Sequence, residues 1–114
     1  MCSSDLIKWA WTAHTDGTVA VATAGAETEE SYNGEIVRLV TVPDTVDPPT
    51  AAYDIKIYDE DDADVLIGAG QNKSATAAEQ VLASSLGVVA NDKLTLYVEK
   101  AGDGGKGIVY LYVR

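Results

Sequence analysis

Apolar residues in this chain recur with a period of two, in short runs set apart by turn signals, and sustained helical periodicity appears almost nowhere. Successive strand side chains point to opposite faces, so the pattern calls for pleated segments with one face buried. In LIKWAWT (6–12), Ile7, Trp9 and Trp11 share a face. TVAVAT (18–23) follows the turn signal His14-Thr15-Asp16-Gly17. EIVRLVTV (35–42) is entered through Asn33-Gly34, a tight-turn dipeptide, and both its faces are largely apolar, as in a strand covered on both sides. Pro43 stops it, and the loop PDTVDPPT (43–50) follows.

AYDIKIYD (52–59) sets Tyr53, Ile55 and Ile57 against Asp54, Lys56 and Tyr58, the pattern of a half-exposed strand. An acidic turn, DEDDA, leads into DVLIGAG (64–70). KLTLYVEK (93–100) alternates Leu94, Leu96 and Val98 with Thr95, Tyr97 and Glu99. The turn AGDGGKG joins it to GIVYLYVR, and the two segments read as the best hairpin of the chain. The span 68–92 is nearly uncharged and rich in Ala, Ser and Gly. Thr76 and Glu79 have capping-box spacing for a short helix near 76–85, EQVLA reads equally as an eighth strand, and a loop ordered by a partner fits as well.

The expectation is an all-β fold, an antiparallel β-sandwich or small β-barrel of about seven or eight strands. The 114 residues make a single domain, 1–114, with residues 1–5 as a flexible N-terminal arm. Surface scaling gives a folded area of roughly 6,000 Å² against roughly 17,000 Å² unfolded, enough burial for one core without staples. The lone Cys2 excludes an intrachain disulfide and any multi-cysteine metal site. The opening MCSSDLIKWAWT has neither the basic flank nor the unbroken apolar stretch of a signal peptide, and no run is long enough to span a bilayer.

Charge narrows the partners. Residues 27–64 hold twelve acids against two bases, Arg38 and Lys56, so the net charge of −10 comes from one third of the chain. Such a field disfavours direct nucleic-acid binding and an anionic membrane. The Asp59–Asp64 turn offers carboxylates for calcium, but Ala63 interrupts the alternation and no Glu completes an EF-hand, so a solvated turn is expected and no metal site is assigned. Gly68–Ser74 lacks the Gly-Lys-Ser/Thr ending of a phosphate loop and reads as a bend. His14 and Cys2, the lone imidazole and thiol, have no third partner for nucleophilic catalysis. No enzyme and no cofactor is expected.

Two tryptophans and six tyrosines, with no phenylalanine, suit half-buried and interface positions. Trp9 and Trp11, with Tyr53, Tyr110 and Tyr112 near them, read first as core and second as an aromatic platform. Trp9, Trp11, Tyr110 and Tyr112 are the interface candidates, on strands LIKWAWT and GIVYLYVR that could pair at an edge with a neighbouring chain.

The stretches KWAWTAHTDGTVAVAT, PPTAAYDIKIYDEDDADVLIGAGQNKSATAAEQV and LTLYVEKAGDGGKGIVYLYVR carry a resemblance. A Trp-Thr start with an Asp-Gly turn, Gly-Glu-Ile-Val-Arg, Pro-Thr-x-x-Tyr-Asp-Ile, Asp-Val-Leu, a Gly-x-Gly-x-Asn segment and a closing Val-Tyr-Leu-Tyr follow in order between Trp11 and Arg114. In this cadence the chain resembles small structural proteins of tailed bacteriophages. Asp62 stands in the acidic turn where such proteins carry glycine. The resemblance implies a virion component without an active site, plausibly a head decoration (cement) protein on the capsid surface, assembled in the host cytoplasm. Its implied partners are the major capsid protein and copies of itself, a trimer suiting lattice three-fold positions. A tail or head–tail connector component and a carbohydrate-binding β-sandwich module are the alternative readings.

Overall fold

The longest ladder joins β1 (Asp5–Thr12) to β7 (Lys106–Val113), antiparallel and in register from Asp5↔Val113 to Thr12↔Lys106. The structure is a computed structural model and describes residues 5–19, 23 and 25–114. Residues 1–4 of the expected arm, with Cys2, lie outside the described residues, as do residues 20–22 of the expected strand 18–23. Val19, its described neighbour, is bridged to Val98. Asp5 already belongs to β1.

β7 takes β2 (Tyr32–Pro43) along its other side, so GIVYLYVR is a central strand and has no free edge, contrary to the sequence expectation. A bulge between Ile36 and Arg38 lets Ile36 and Leu39 both face inward. β4 (Glu79–Leu82) and β5 (Val88–Asp92) pair with successive stretches of β2 and are separated by a single 3-10 turn, Ala83–Ser85. The second sheet is the pair β3 (Asp54–Tyr58) and β6 (Thr95–Glu99), with bridges Val19↔Val98 and Glu27↔Thr95 on the other side of β6.

The two sheets close over one core. Ile7, Trp9, Trp11, Leu39, Val109 and Leu111 come from the larger sheet and Ile55, Ile57, Leu96 and Val98 from the smaller. The accessible surface, 6147 Å², matches the area expected for this chain length. The all-β sandwich-like fold is therefore as the alternation requires, with seven strands in two antiparallel sheets among the described residues.

Three expectations are corrected and one open alternative is settled. β6 and β7 do not form a hairpin: β6 pairs with β3, and the Lys100–Gly105 connection crosses between sheets because β1 and β2 already occupy both sides of β7. DVLIGAG is not a strand. The Asp64 carboxylate accepts the N–H groups of Leu66 and Gly68 at 3.0 Å each, Ile67 and Gly68 adopt positive φ, and the run coils into turns that plug Leu66 into the core. Of the alternatives for 76–85 the strand is the one found: EQVL is β4, no α-helix forms, and Ala83–Ser85 makes a 3-10 turn. Ser74 Oγ accepts from Thr76 and Ala77, and the Glu79 carboxylate accepts from Ser74 N at 2.7 Å, leaving 79–82 free to extend along β2. Asn33-Gly34 is the irregular start of β2 rather than a hairpin turn: a Cβ on Gly34 (φ +133) would collide with Arg114 O.

Candidate functional site: the free edge of β1 and the outer face of the large sheet

Ladder parity fixes what β1 shows to the outside. Ala13 donates its N–H to Gly105 O at 2.7 Å, one step beyond Thr12↔Lys106. Antiparallel partners exchange hydrogen bonds at every second position, so Ile7, Trp9 and Trp11 bond to β7. Leu6, Lys8, Ala10 and Thr12 then direct their N–H and C=O groups away from it. The other side of β7 has the opposite parity, as Asp44 N donating to Lys106 O shows. β1 is the terminal strand, and among the described residues no backbone bond reaches those outward groups. Among the described residues, this eight-residue edge, without proline or bulge, has no strand paired to it.

The same register builds three rows of the outer face: Leu6, Tyr112, Arg38 and Leu82; Lys8, Tyr110, Val40 and Gln80; Ala10, Ile108 and Val42; beyond them Thr12 lies beside exposed Lys106, which pairs with Asp47. Leu6 is 53% and Leu82 59% exposed, while Val40, Val42, Ile108, Tyr110 and Tyr112 are half-buried. β2 is thus covered on one side only, not on both as its composition suggests. Lys8 Nζ lies 5.8 Å from the Tyr110 ring centre and the Arg38 guanidinium 5.3 Å from that of Tyr112. Arg38 Nε also donates to Gln80 Oε1 at 3.0 Å. None of the three rows contains a carboxylate.

The four interface candidates of the sequence divide across this sheet. Trp9 and Trp11 are 6% and 4% exposed and face the core. Trp9 Nε1 donates to Ala26 O at 3.0 Å, and Trp11 lies 5.5 Å from the Tyr53 ring. Tyr110 and Tyr112 stand on the opposite, outer side, because register places them beside Lys8 and Leu6. Leu6, Lys8, Arg38 and Leu82 were missed. For the first two the signal was present: they alternate with the tryptophans.

Other candidate groups are engaged within the fold. In the acidic turn, Asp59 Oδ1 accepts from Asp61 N and Ala63 N, and Asp62 takes φ +60, the region that favours glycine. Asp92 joins this turn by accepting from Glu60 N, and oxygens of Asp59, Asp61 and Asp92 lie within 4.8 Å of one another. His14 is exposed, its Nε2 3.2 Å from Thr23 Oγ1, while Thr18 hydrogen bonds hold the neighbouring Asp16 carboxyl below its ordinary range. In 68–74, Gly68 N and Asn72 N bond to the carboxylates of Asp64 and Asp54, and Lys73 N bonds to Tyr53 O, so these donors do not converge on a phosphate. A cleft of about 340 Å³ runs between β1 and Val19, Thr23 and Leu96. Among the described residues, no helix is long and apolar enough to cross a membrane.

No family model matches this chain, and no curated protein matches it. Among solved structures it is similar to the crystal structure of FLHE, at 11% identity and TM-score 0.50, over 99% of this chain and 99% of that one. A likeness at this identity shows the fold: the strand arrangement above is one that another chain adopts over its whole length.

Proposed function

We propose that this protein is a non-enzymatic structural component that works through protein–protein contacts, a head decoration protein on the capsid of a tailed-phage virion. The observation that carries the reading is the free edge of β1. Its outward N–H and C=O groups at Leu6, Lys8, Ala10 and Thr12 offer a ready template for an extended segment of a partner, here the major capsid protein. Repetition of a modest contact across a shell multiplies its strength through avidity. The sequence resemblance supplies the virion setting, and the acidic surface suits a particle coat that must resist sticking.

Ala10→Pro tests this. It removes an outward donor while leaving the β1–β7 ladder its own bonds. Virions are imaged by cryo-microscopy with the wild-type chain and with the variant, folding being checked by circular dichroism. Density for the chain on the head, lost with the folded variant, supports the proposal. Density in the tail or connector, or full occupancy of the head by the variant, overturns it. Chelator-sensitive glycan binding would instead favour a carbohydrate-binding module.

A further inference from the structure

We infer that the outer face of the large sheet docks the acidic end of a second copy of this chain, head to tail. The inference rests on the oligomeric reading above and names the partner surface. On a chain of net charge −10, three adjacent rows with two cations and no carboxylate are a local reversal of sign. Lys8 and Arg38 have no ion-pair partner among the described residues, where the ion pairs are Lys100–Asp54 and Lys106–Asp47. They are held over Tyr110 and Tyr112 with exposed Leu6 and Leu82 beside them, and tyrosine and arginine are enriched at protein interfaces.

The charge complement lies at one end of the other sheet. Register there sets Tyr58 against Thr95, and Thr95 is bridged on its other side to Glu27, so the acidic turn after β3 and the acids around Glu27 flank the same end of β6, with Asp92 brought onto the turn. Glu27, Asp61 and Asp62 are exposed. A face-to-face dimer would set Lys8 and Arg38 against their own copies, which opposes that contact. Two different patches of opposite charge make a heterologous contact, the kind that closes into a ring when the rotation per subunit allows.

The purified full chain is examined by sedimentation velocity and native mass measurement at 50 and 500 mM sodium chloride. The expected result is an oligomer at low salt whose association weakens at least tenfold at high salt. Lys8→Glu with Arg38→Glu, and separately Glu27→Lys with Asp61→Lys, should each be monomeric at 50 mM salt with unchanged circular dichroism. An equimolar mixture of the two should associate again, because each reversed patch now meets its complement. Lys8→Gln with Arg38→Gln gives the same loss should either reversal fail to fold. A wild-type chain that is monomeric at 50 mM salt, face variants as oligomeric as wild type, or a mixture that stays monomeric overturns the inference. A monomer that still decorates heads leaves the preceding proposal standing and removes this one alone.

Discussion

Trp11 is positioned by the residue it faces across the ladder. Its partner is Gly107, and a Cβ there would sit 2.7 Å from Trp11 Cζ2 and 3.0 Å from Val42 O. The ring therefore covers a glycine, filling space on the inner face that no side chain occupies. Gly107→Ala must displace the indole or bend β7, and a loss of about 1–3 kcal/mol in urea denaturation is expected. Tyr53 makes a second test at this scale. It is fully buried, its hydroxyl has no hydrogen-bond partner among the described residues, and burial pushes its pKa up to about 12 from 10.0. The unfolded chain releases this proton near pH 10 while the folded one retains it, so the stabilising contribution is complete below pH 10 and is lost as pH rises towards 12. Unfolding free energies from urea denaturation at pH 9 and 11.5 should differ by roughly 2 kcal/mol in the wild type, and the difference should shrink in Tyr53→Phe.

At the scale of elements, strand parity separates two kinds of proline substitution. Ala10 points its N–H to the open side of β1, so Ala10→Pro removes no ladder bond and should lower stability by about 1 kcal/mol or less. Ile108 lies on the central strand with the parity that bonds β2, and Ile108→Pro should cost about 3 kcal/mol or more by chemical denaturation. This asymmetry also shows what was legible in the chain. Alternation alone placed β1, β2, β3, β6 and β7, because each buries every second side chain, and it placed Trp9 and Trp11 in the core. It could not say which strands pair. Leu94, Leu96 and Val98 need a core whether β6 lies beside β7 or beneath it, and a glycine-rich connection permits both. In DVLIGAG the apolar run was read as a strand because its folding is decided by one carboxylate, Asp64, that captures three backbone N–H groups, those of Ile57, Leu66 and Gly68. β5 escaped notice because Val-Val-Ala-Asn-Asp sits in a span with few polar markers. The outer face was invisible for a related reason: Leu6, Arg38 and Leu82 lie far apart in sequence and meet only through the registers of β7, β2 and β4.

Across the whole molecule, charge acts on folding and on association with opposite signs, and salt distinguishes them. The acidic end belongs to the smaller sheet and the cationic face to the outside of the larger one, so each acts as a local field on what approaches it. Within one copy, Asp59, Asp61 and Asp92 repel one another at close range, and their repulsion opposes folding. Added salt screens this and should raise the stability of an isolated subunit. Between copies, the docking proposed above is attractive, and added salt should weaken it. In the Lys8→Glu, Arg38→Glu variant, which lacks the attractive face, the melting temperature should rise by a few degrees between 20 and 300 mM sodium chloride, about 1 kcal/mol for a domain this small. In the wild type the rise should be smaller at high protein concentration, where loss of association offsets it, and should approach the variant's value on dilution. Asp61→Lys, which relieves the crowding without touching the carboxylates of Asp59 and Glu60 that accept backbone N–H groups, should flatten the salt dependence of the variant. A salt response that is the same in wild type and variant at every protein concentration would mean that the acidic end acts on folding alone, and that its separation from the cationic face has no consequence between molecules.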